Sequence, residues 1–341
     1  MSLAPEPTDS LASPRPPLLA GIGGKVALSL VFAALVLAGL SAYADVQALG
    51  TELLAYRWSY FGVGLLLATG NYVLRWVRWE LYLRTIGVRI PLRTSILVMA
   101  AGFVMSITPG KMGEVYKSWL LLEHEQEPVA RTAPVVVAER VTDLAALVIL
   151  AALGALVFPA GRWVALAGLI LVSALLSLCM SRPLARAVLS WLERISFTAR
   201  FVPTLRTAYD SLATITQPKP LIAATAIALL SWFLECVALF FIVLGFTGAS
   251  IGMLGSLFAY SGPTLVGALA MLPGGLGVTE ASMTGVLQGL GQGLTPTTAA
   301  AVTILVRLAT LWWAVLLGAL ALIPLQTRKK LAKRTGETPK A

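Results

Sequence analysis

Charge is scarce in this 341-residue chain. Asp, Glu, Lys and Arg make up only 12% of it, while 57% is hydrophobic; soluble domains carry about 25% charged residues. A mean hydropathy of +0.83 points the same way, to an integral membrane protein with little soluble mass. The two cysteines, Cys179 and Cys236, both lie inside apolar runs, so neither a disulfide framework nor a metal cluster is expected. The single histidine, His124 in L-L-E-H-E-Q-E, reads as a solvated loop residue. G-x-S-x-G, the P-loop, the dinucleotide glycine pattern and any His-rich metal set are all missing, so the chain reads as a non-enzyme without a cofactor. The net charge of +10 lies mainly in connections and the C-terminal tail, where the positive-inside rule explains it better than nucleic acid does.

What is present is a series of apolar runs. A spanning helix needs about 20 mostly apolar residues. Runs at 25–44, 58–83, 132–157, 163–181, 220–245 and 297–324 reach that length. Residues 1–24, rich in Pro, Ser and Ala, read as a disordered tail. Ala42-Tyr43-Ala44 resembles a signal-peptidase site, but the polar region before it is long for a signal peptide, and an uncleaved first span is expected.

Two further apolar segments, about 94–121 and 253–290, are interrupted. The first contains S-I-T-P-G-K-M-G-E (Ser106 to Glu114) and the second M-L-P-G-G-L-G-V-T-E (Met271 to Glu280). Pro lacks an N–H and Gly tolerates unusual backbone angles, so Pro-Gly-x-x-Gly ends one half-helix and starts another. Charge selects between two full spans and two re-entrant hairpins. The connection 182–219 carries Arg182, Arg186, Arg194, Arg200, Arg206 and Lys219 against Glu193 and Asp210. The connection 84–93 carries Arg84, Arg89 and Arg93, and the basic tail 326–341 carries Arg328, Lys329, Lys330, Lys333, Arg334 and Lys340 against Glu337. All three belong in the cytoplasm only if 94–121 enters and leaves from inside and 253–290 enters and leaves from outside.

The expected fold is therefore an all-α polytopic membrane protein with six full spans, two re-entrant helical hairpins and both termini cytoplasmic. A single transmembrane domain over 25–325 contains halves at about 57–160 and 220–324 that form an inverted repeat. Pro109-Gly110-x-x-Gly113 matches Pro273-Gly274-x-x-Gly277. V-A-E-R-V-T-D (Val137 to Asp143) lines up with L-V-R-L-A-T (Leu305 to Thr310), pairing Arg140 with Arg307. Inverted repeats with broken helices are a signature of transporters, whose sites lie near the midplane between repeats.

A half-helix starting near Gly113 or Gly277 aims free N–H groups and a positive dipole end at the midplane, an arrangement that suits phosphate. Lys111 adds a full charge. Glu114 and Glu280 are placed to cap the half-helices, to pair with Arg140 and Arg307, or to carry protons; capping alone also accounts for an acid at a helix start. Charges inside spans cost at least about 2.5–3.5 kcal/mol at the bilayer centre and usually face the bundle interior. Glu139, Arg140 and Asp143 share one span, Arg307 sits in the middle third of the last, and Glu235 lies within S-W-F-L-E-C-V. Asn71 and Arg75 share a face with Arg78 and serve as accessory candidates. Arg78, Trp79 and Glu80 read as a snorkelling arginine and aromatic belt at the cytoplasmic interface. Residues 187–212 read as one or two amphipathic helices lying on an anionic leaflet.

The motifs T-P-G-K-M-G-E, A-E-R-V-T-D and L-P-G-G-L-G-V-T-E, in that order within about 55–325, resemble a flippase-like family akin to the membrane region of lysylphosphatidylglycerol synthase. The resemblance implies an all-helical membrane protein with two re-entrant elements that moves or handles lipid at the bacterial cytoplasmic membrane. The family's motif residues carried over are Pro109, Gly110, Lys111, Gly113, Glu114, Glu139, Arg140, Asp143, Pro273, Gly274, Gly275, Gly277, Glu280 and Arg307. No aminoacyl-transferase domain follows the last span here, so synthase activity is not expected. The functional expectation is translocation of a lipid or lipid-linked anion, with its headgroup phosphate at the opposed half-helix ends. The rivals are a membrane scaffold for a soluble lipid-modifying enzyme and an ion-coupled transporter of small solutes.

Overall fold

Helix boundaries follow local chemistry along the chain. A computed structural model describes residues 46–107, 114–157, 161–180 and 202–335, together with Gly39. Helix α1 spans Val46–Ala55 and α2 spans Trp58–Thr85. Helix α3 (Leu92–Gly102) starts after Pro91 and tightens into a 3-10 turn over Phe103–Ile107. Helix α4 (Tyr116–Glu125) stops at Gln126, whose φ of 59° is left-handed, and Pro128 precedes α5 (Val129–Ala155). Helices α6 (Gly161–Met180) and α7 (Val202–Ile215) follow. Helix α8 (Pro218–Leu244) opens on Pro, whose missing N–H is not needed in a first turn. Helices α9 (Met253–Leu269) and α10 (Val278–Leu290) flank the second motif. Helix α11 (Pro296–Arg307) is capped by Thr295, whose hydroxyl accepts the Thr298 N–H at 3.1 Å. It runs through a π turn at Leu308–Trp312 into α12 (Trp313–Thr335). Among the described residues no strand forms; a lone bridge joins Ser250 and Gln292.

Helix α2 lies along α8, and α5 packs against α6, α7, α8 and α9. Helix α12 covers α3 and its 3-10 extension, while α10 sits between α9 and α11. One buried cluster gathers Trp232, Leu239, Ile242, Tyr260, Leu287 and Val306 from the second half with Leu147 and Leu150 of α5. The other gathers Trp79, Tyr82, Val98, Leu121 and Val135 from the first half with Ala314 and Leu325 of α12. The outward faces stay apolar: Leu66, Val73, Ile170, Ile222, Leu230, Leu320 and Ile323 are all exposed. Surfaces of that kind suit lipid and not water.

The long helices and the interrupted ones differ in length. Pro218–Leu244 has 27 residues at a mean hydropathy of 2.5, and Pro296–Thr327 has 32 at 2.1. Helices α2 and α5 have 28 and 27 residues but carry buried charge. By contrast, α4, α9 and α10 have 10, 17 and 13 residues, and Leu92–Ile107 is likewise a short apolar stretch. Each is below the roughly 20 residues needed to cross a bilayer.

Between the runs 25–44 and 58–83, Val46–Ala55 forms α1, which packs on α11. His124 lies in the last turn of α4, not in a loop. Helix α12 continues to Thr335, so the start of the basic tail is helical. Helix α7 packs on α5, burying Ile215 and Ser211 and leaving Arg206 and Asp210 exposed. The rest of the stretch 187–212, read as amphipathic helices on a leaflet, lies largely outside the described residues. The first span 25–44 with Ala42-Tyr43-Ala44, the tail 1–24 and the connection residues 182–201 lie outside the described residues, apart from Gly39.

Candidate functional site: a guanidinium-lined cavity at the broken helices

The second motif reverses the chain within a few residues. Gly274, Gly275 and Gly277 have φ of 61°, 68° and 84°. A side chain in that region costs roughly 1–2 kcal/mol per residue, which is why the turn is written in glycine. Helix α10 then starts at Val278. The Glu280 carboxylate accepts the Gly277 N–H at 2.6 Å through one oxygen and meets Arg307 Nε at 2.6 Å through the other. Arg307 also donates from Nη2 to the Gly274 carbonyl at 2.7 Å. Arg307 thus ties both ends of the turn to α11.

Pro109, Gly110, Lys111 and Gly113 of the first motif lie outside the described residues. Glu114, which follows them, meets Arg140 Nη2 at 3.0 Å, with Lys117 at 3.9 Å and Arg75 at 4.0 Å. Each motif glutamate therefore faces the arginine of its own half, Glu114 with Arg140 and Glu280 with Arg307. The two interrupted segments also touch: a Cβ at Gly274 would stand 3.7 Å from the Ile107 Cα.

From Arg140 the ion pairs continue into the bundle. Asp143 takes Arg140 at 2.9 Å, Arg78 at 2.7 Å and the Trp232 indole N–H at 3.0 Å. Lys117, which also approaches Glu114 at 3.9 Å, pairs with Glu139 at 2.5 Å, its ammonium 4.6 Å from the centre of the Trp79 ring. Such buried pairs hold only when both partners are present, because a lone charge in low dielectric is costly.

A cavity of about 290 Å³ opens beside this network. Its polar wall includes the guanidiniums of Arg75, Arg140 and Arg307 and the carboxylates of Asp143 and Glu235. Leu144, Leu147, Leu269, Met271, Leu272 and Leu311 supply an apolar wall. Arg75 is 6% exposed, yet its Nε and Nη2 find no hydrogen-bond acceptor in the structure. Its cation rests over the Phe103 ring at 5.2 Å. A buried donor left without an acceptor costs about 1–3 kcal/mol or more when charged, so an acceptor entering the cavity gains from meeting this edge.

The structure brings Arg75, Arg140, Asp143, Glu235, Gly274, Gly275 and Arg307 to one cavity and leaves others out of its lining. Glu139 is 0% exposed and engaged with Lys117. Asn71 lies in the α2–α8 interface, donating to the Ser231 carbonyl at 2.8 Å. Pro273 and Gly277 shape the turn. One reading is corrected. Arg78 does not snorkel: it is 0% exposed beside an equally buried Trp79, because Asp143 and Thr142 of α5 supply acceptors inside the bundle. At the α10 N-terminus Glu280 caps the Gly277 N–H, one of the roles the sequence left open for it. Sequence reasoning missed Lys117, Tyr72, Trp232, Tyr260 and Thr310. Lys117 had a signal, a lone cation in Y-K-S-W-L-L-L three residues after Glu114. The aromatics had none, since aromatic residues in apolar runs are ordinary core.

Long apolar helices, lipid-compatible outer faces and an internal ionic cavity define a multi-pass α-helical membrane protein. The family model described as the lysylphosphatidylglycerol synthase TM region matches residues 26–318, and the chain belongs to that family. It is also similar to a UPF0104 membrane protein of Methanothermobacter thermautotrophicus, at 24% identity over 277 residues, covering 72% of this chain and 79% of the relative.

Proposed function

We propose that this protein moves an anionic, phosphate-bearing amphiphile between the leaflets of the cytoplasmic membrane. The observation that carries the reading is the guanidinium edge of Arg75, which finds no hydrogen-bond acceptor and has Glu114 no nearer than 4.0 Å, in a cavity that also presents Arg140 and Arg307. Arginine forks match phosphate oxygens bidentately. Arg75, Arg140 and Arg307 present their guanidiniums to the cavity, while the leucine-rich wall suits acyl chain. The headgroup rests on these arginines, with the Gly277 N–H of α10 already capped by Glu280. Glu114 and Glu280 hold Arg140 and Arg307 when the headgroup is elsewhere, and Lys111 adds charge from the first motif.

The short arms on either side of each motif, the shared Glu–Arg arrangement and the basic connections support two hairpins of opposite entry, six spans and cytoplasmic termini. The matched family is a membrane region, which supports transport over catalysis. The test is lipid movement in proteoliposomes with a panel of fluorescent anionic and zwitterionic lipids. Arg75→Ala, Arg140→Ala and Arg307→Ala are expected to insert and fold but to lose movement of the anionic probes. Wild-type flux from all three variants sinks the reading.

A further inference from the structure

The cavity wall holds a carboxylate that the anion reading does not use. Glu235 of α8 is buried, lines the cavity, and accepts a hydrogen bond from the Tyr260 hydroxyl of α9. Tyr260 lies beside Thr310, whose carbonyl takes the hydroxyl of Tyr72 from α2. Thr310 belongs to the π turn that interrupts α11–α12 directly after Arg307. Such turns inside helices occur frequently at functional sites, because they displace carbonyls from the regular ladder. An acid, two phenols and a π turn thus converge on one wall of the cavity that holds the arginines.

We infer that Glu235 is a proton-binding site, and that its proton accompanies the anion through the cavity. The argument rests on what each acid's partners permit. Asp143 accepts from two guanidiniums at 2.7 and 2.9 Å, and Glu280 meets Arg307 at 2.6 Å. Arginine only donates, so protonating either acid removes the acceptor its arginine needs. A phenol both donates and accepts. When Glu235 binds a proton, its carboxyl O–H turns toward Tyr260, and the hydrogen bond survives with its direction reversed. The step is Glu235 carboxylate plus one proton giving the neutral acid, with no other reactant. A monoanionic headgroup moving with that proton crosses as a neutral pair, which avoids carrying net charge through low dielectric.

The groups around Glu235 set when the proton binds. Tyr72 and Arg75 approach from α2, Tyr260 from α9 and Arg307 from α11; Asp143 of α5 is linked to α8 through Trp232, and Cys236 is its neighbour on α8. The headgroup occupies the guanidiniums, and anion charge beside Glu235 favours its neutral form. Anion and proton therefore bind cooperatively. That coupling rests on the transport reading, whereas the proton site does not.

The site is tested by difference infrared spectroscopy on the full chain in lipid nanodiscs, titrated between about pH 5 and 9, where buried carboxyls commonly protonate. The expected result is a protonated-carboxyl band that Glu235→Gln removes and Tyr260→Phe shifts. A spectrum without such a band, or one that Glu235→Gln leaves intact, overturns the proton site whether or not lipid moves. The coupling is tested in proteoliposomes with fluorescent phosphatidylglycerol, with and without an imposed pH gradient. Acceleration by the gradient in the wild type and its loss in Glu235→Gln supports coupling. Wild-type movement indifferent to the gradient overturns coupling and leaves the transport reading standing. No movement of the probe by folded wild type counts against the transport reading and removes the coupling with it, while the infrared titration decides the site.

Discussion

Replacing Lys117 with Met isolates the pair that holds the first interrupted segment to the bundle. Lys117 is 1% exposed and Glu139 0%, and their charged atoms meet at 2.5 Å. Met keeps an unbranched stem of similar reach, so the packing is largely preserved while the charge disappears. Glu139 is then left buried without its cation. Removing one partner of a buried pair costs about 3–5 kcal/mol, or two to three and a half orders of magnitude in the unfolding equilibrium. Loss of the ammonium over the Trp79 ring adds about 0.5–2 kcal/mol. The second change, Glu139→Leu, removes the orphaned charge as well. An apolar pair in place of a buried ion pair is commonly neutral or stabilising, so Lys117→Met/Glu139→Leu is expected within about 2 kcal/mol of wild type. The assay is reversible unfolding in mixed micelles by added denaturing detergent, run as a double-mutant cycle. If Lys117→Met costs under about 1 kcal/mol, or the double variant is as unstable as the sum of the singles, the pair is not the clasp described.

Two further changes probe the backbone. Gly277→Ala forces a side chain onto a residue at φ 84° and should destabilise by about 1–2 kcal/mol, read by thermal unfolding against a solvent-exposed glycine control; an unchanged midpoint contradicts the left-handed turn. A Cβ at Gly154 would lie 2.4 Å from the Phe258 nitrogen and 2.7 Å from the Leu254 carbonyl oxygen, so α5 and α9 meet backbone to backbone. Gly154→Ala should cost about 1–3 kcal/mol, since α9 must move away; a melting curve superimposable on wild type rules out that close approach.

The sequence by itself determined the class. Too little charge and too many apolar runs exclude a soluble fold, and that conclusion needs no coordinates. It also marked where the helices break, because Pro and Gly act locally through the backbone, and Gly274, Gly275 and Gly277 do adopt angles that other residues avoid. The likeness of Arg140 and Arg307 was legible for the same reason: two short motifs at matching spacing are a one-dimensional fact.

Only the tertiary structure decided what each charge does. Arg78 and Arg75 are three residues apart on one helix, yet one is consumed by Asp143 and the other is left facing a cavity, because α5 supplies acceptors to the first. Glu139 and Arg140 are adjacent in the chain, but successive helical residues point about 100° apart, so Glu139 turns to Lys117 and Arg140 to Glu114 and Asp143. Glu235 gains its phenol from a helix 25 residues away. In a protein interior the meaning of a charge is set by its partners, and partners brought by other helices are not written in local sequence.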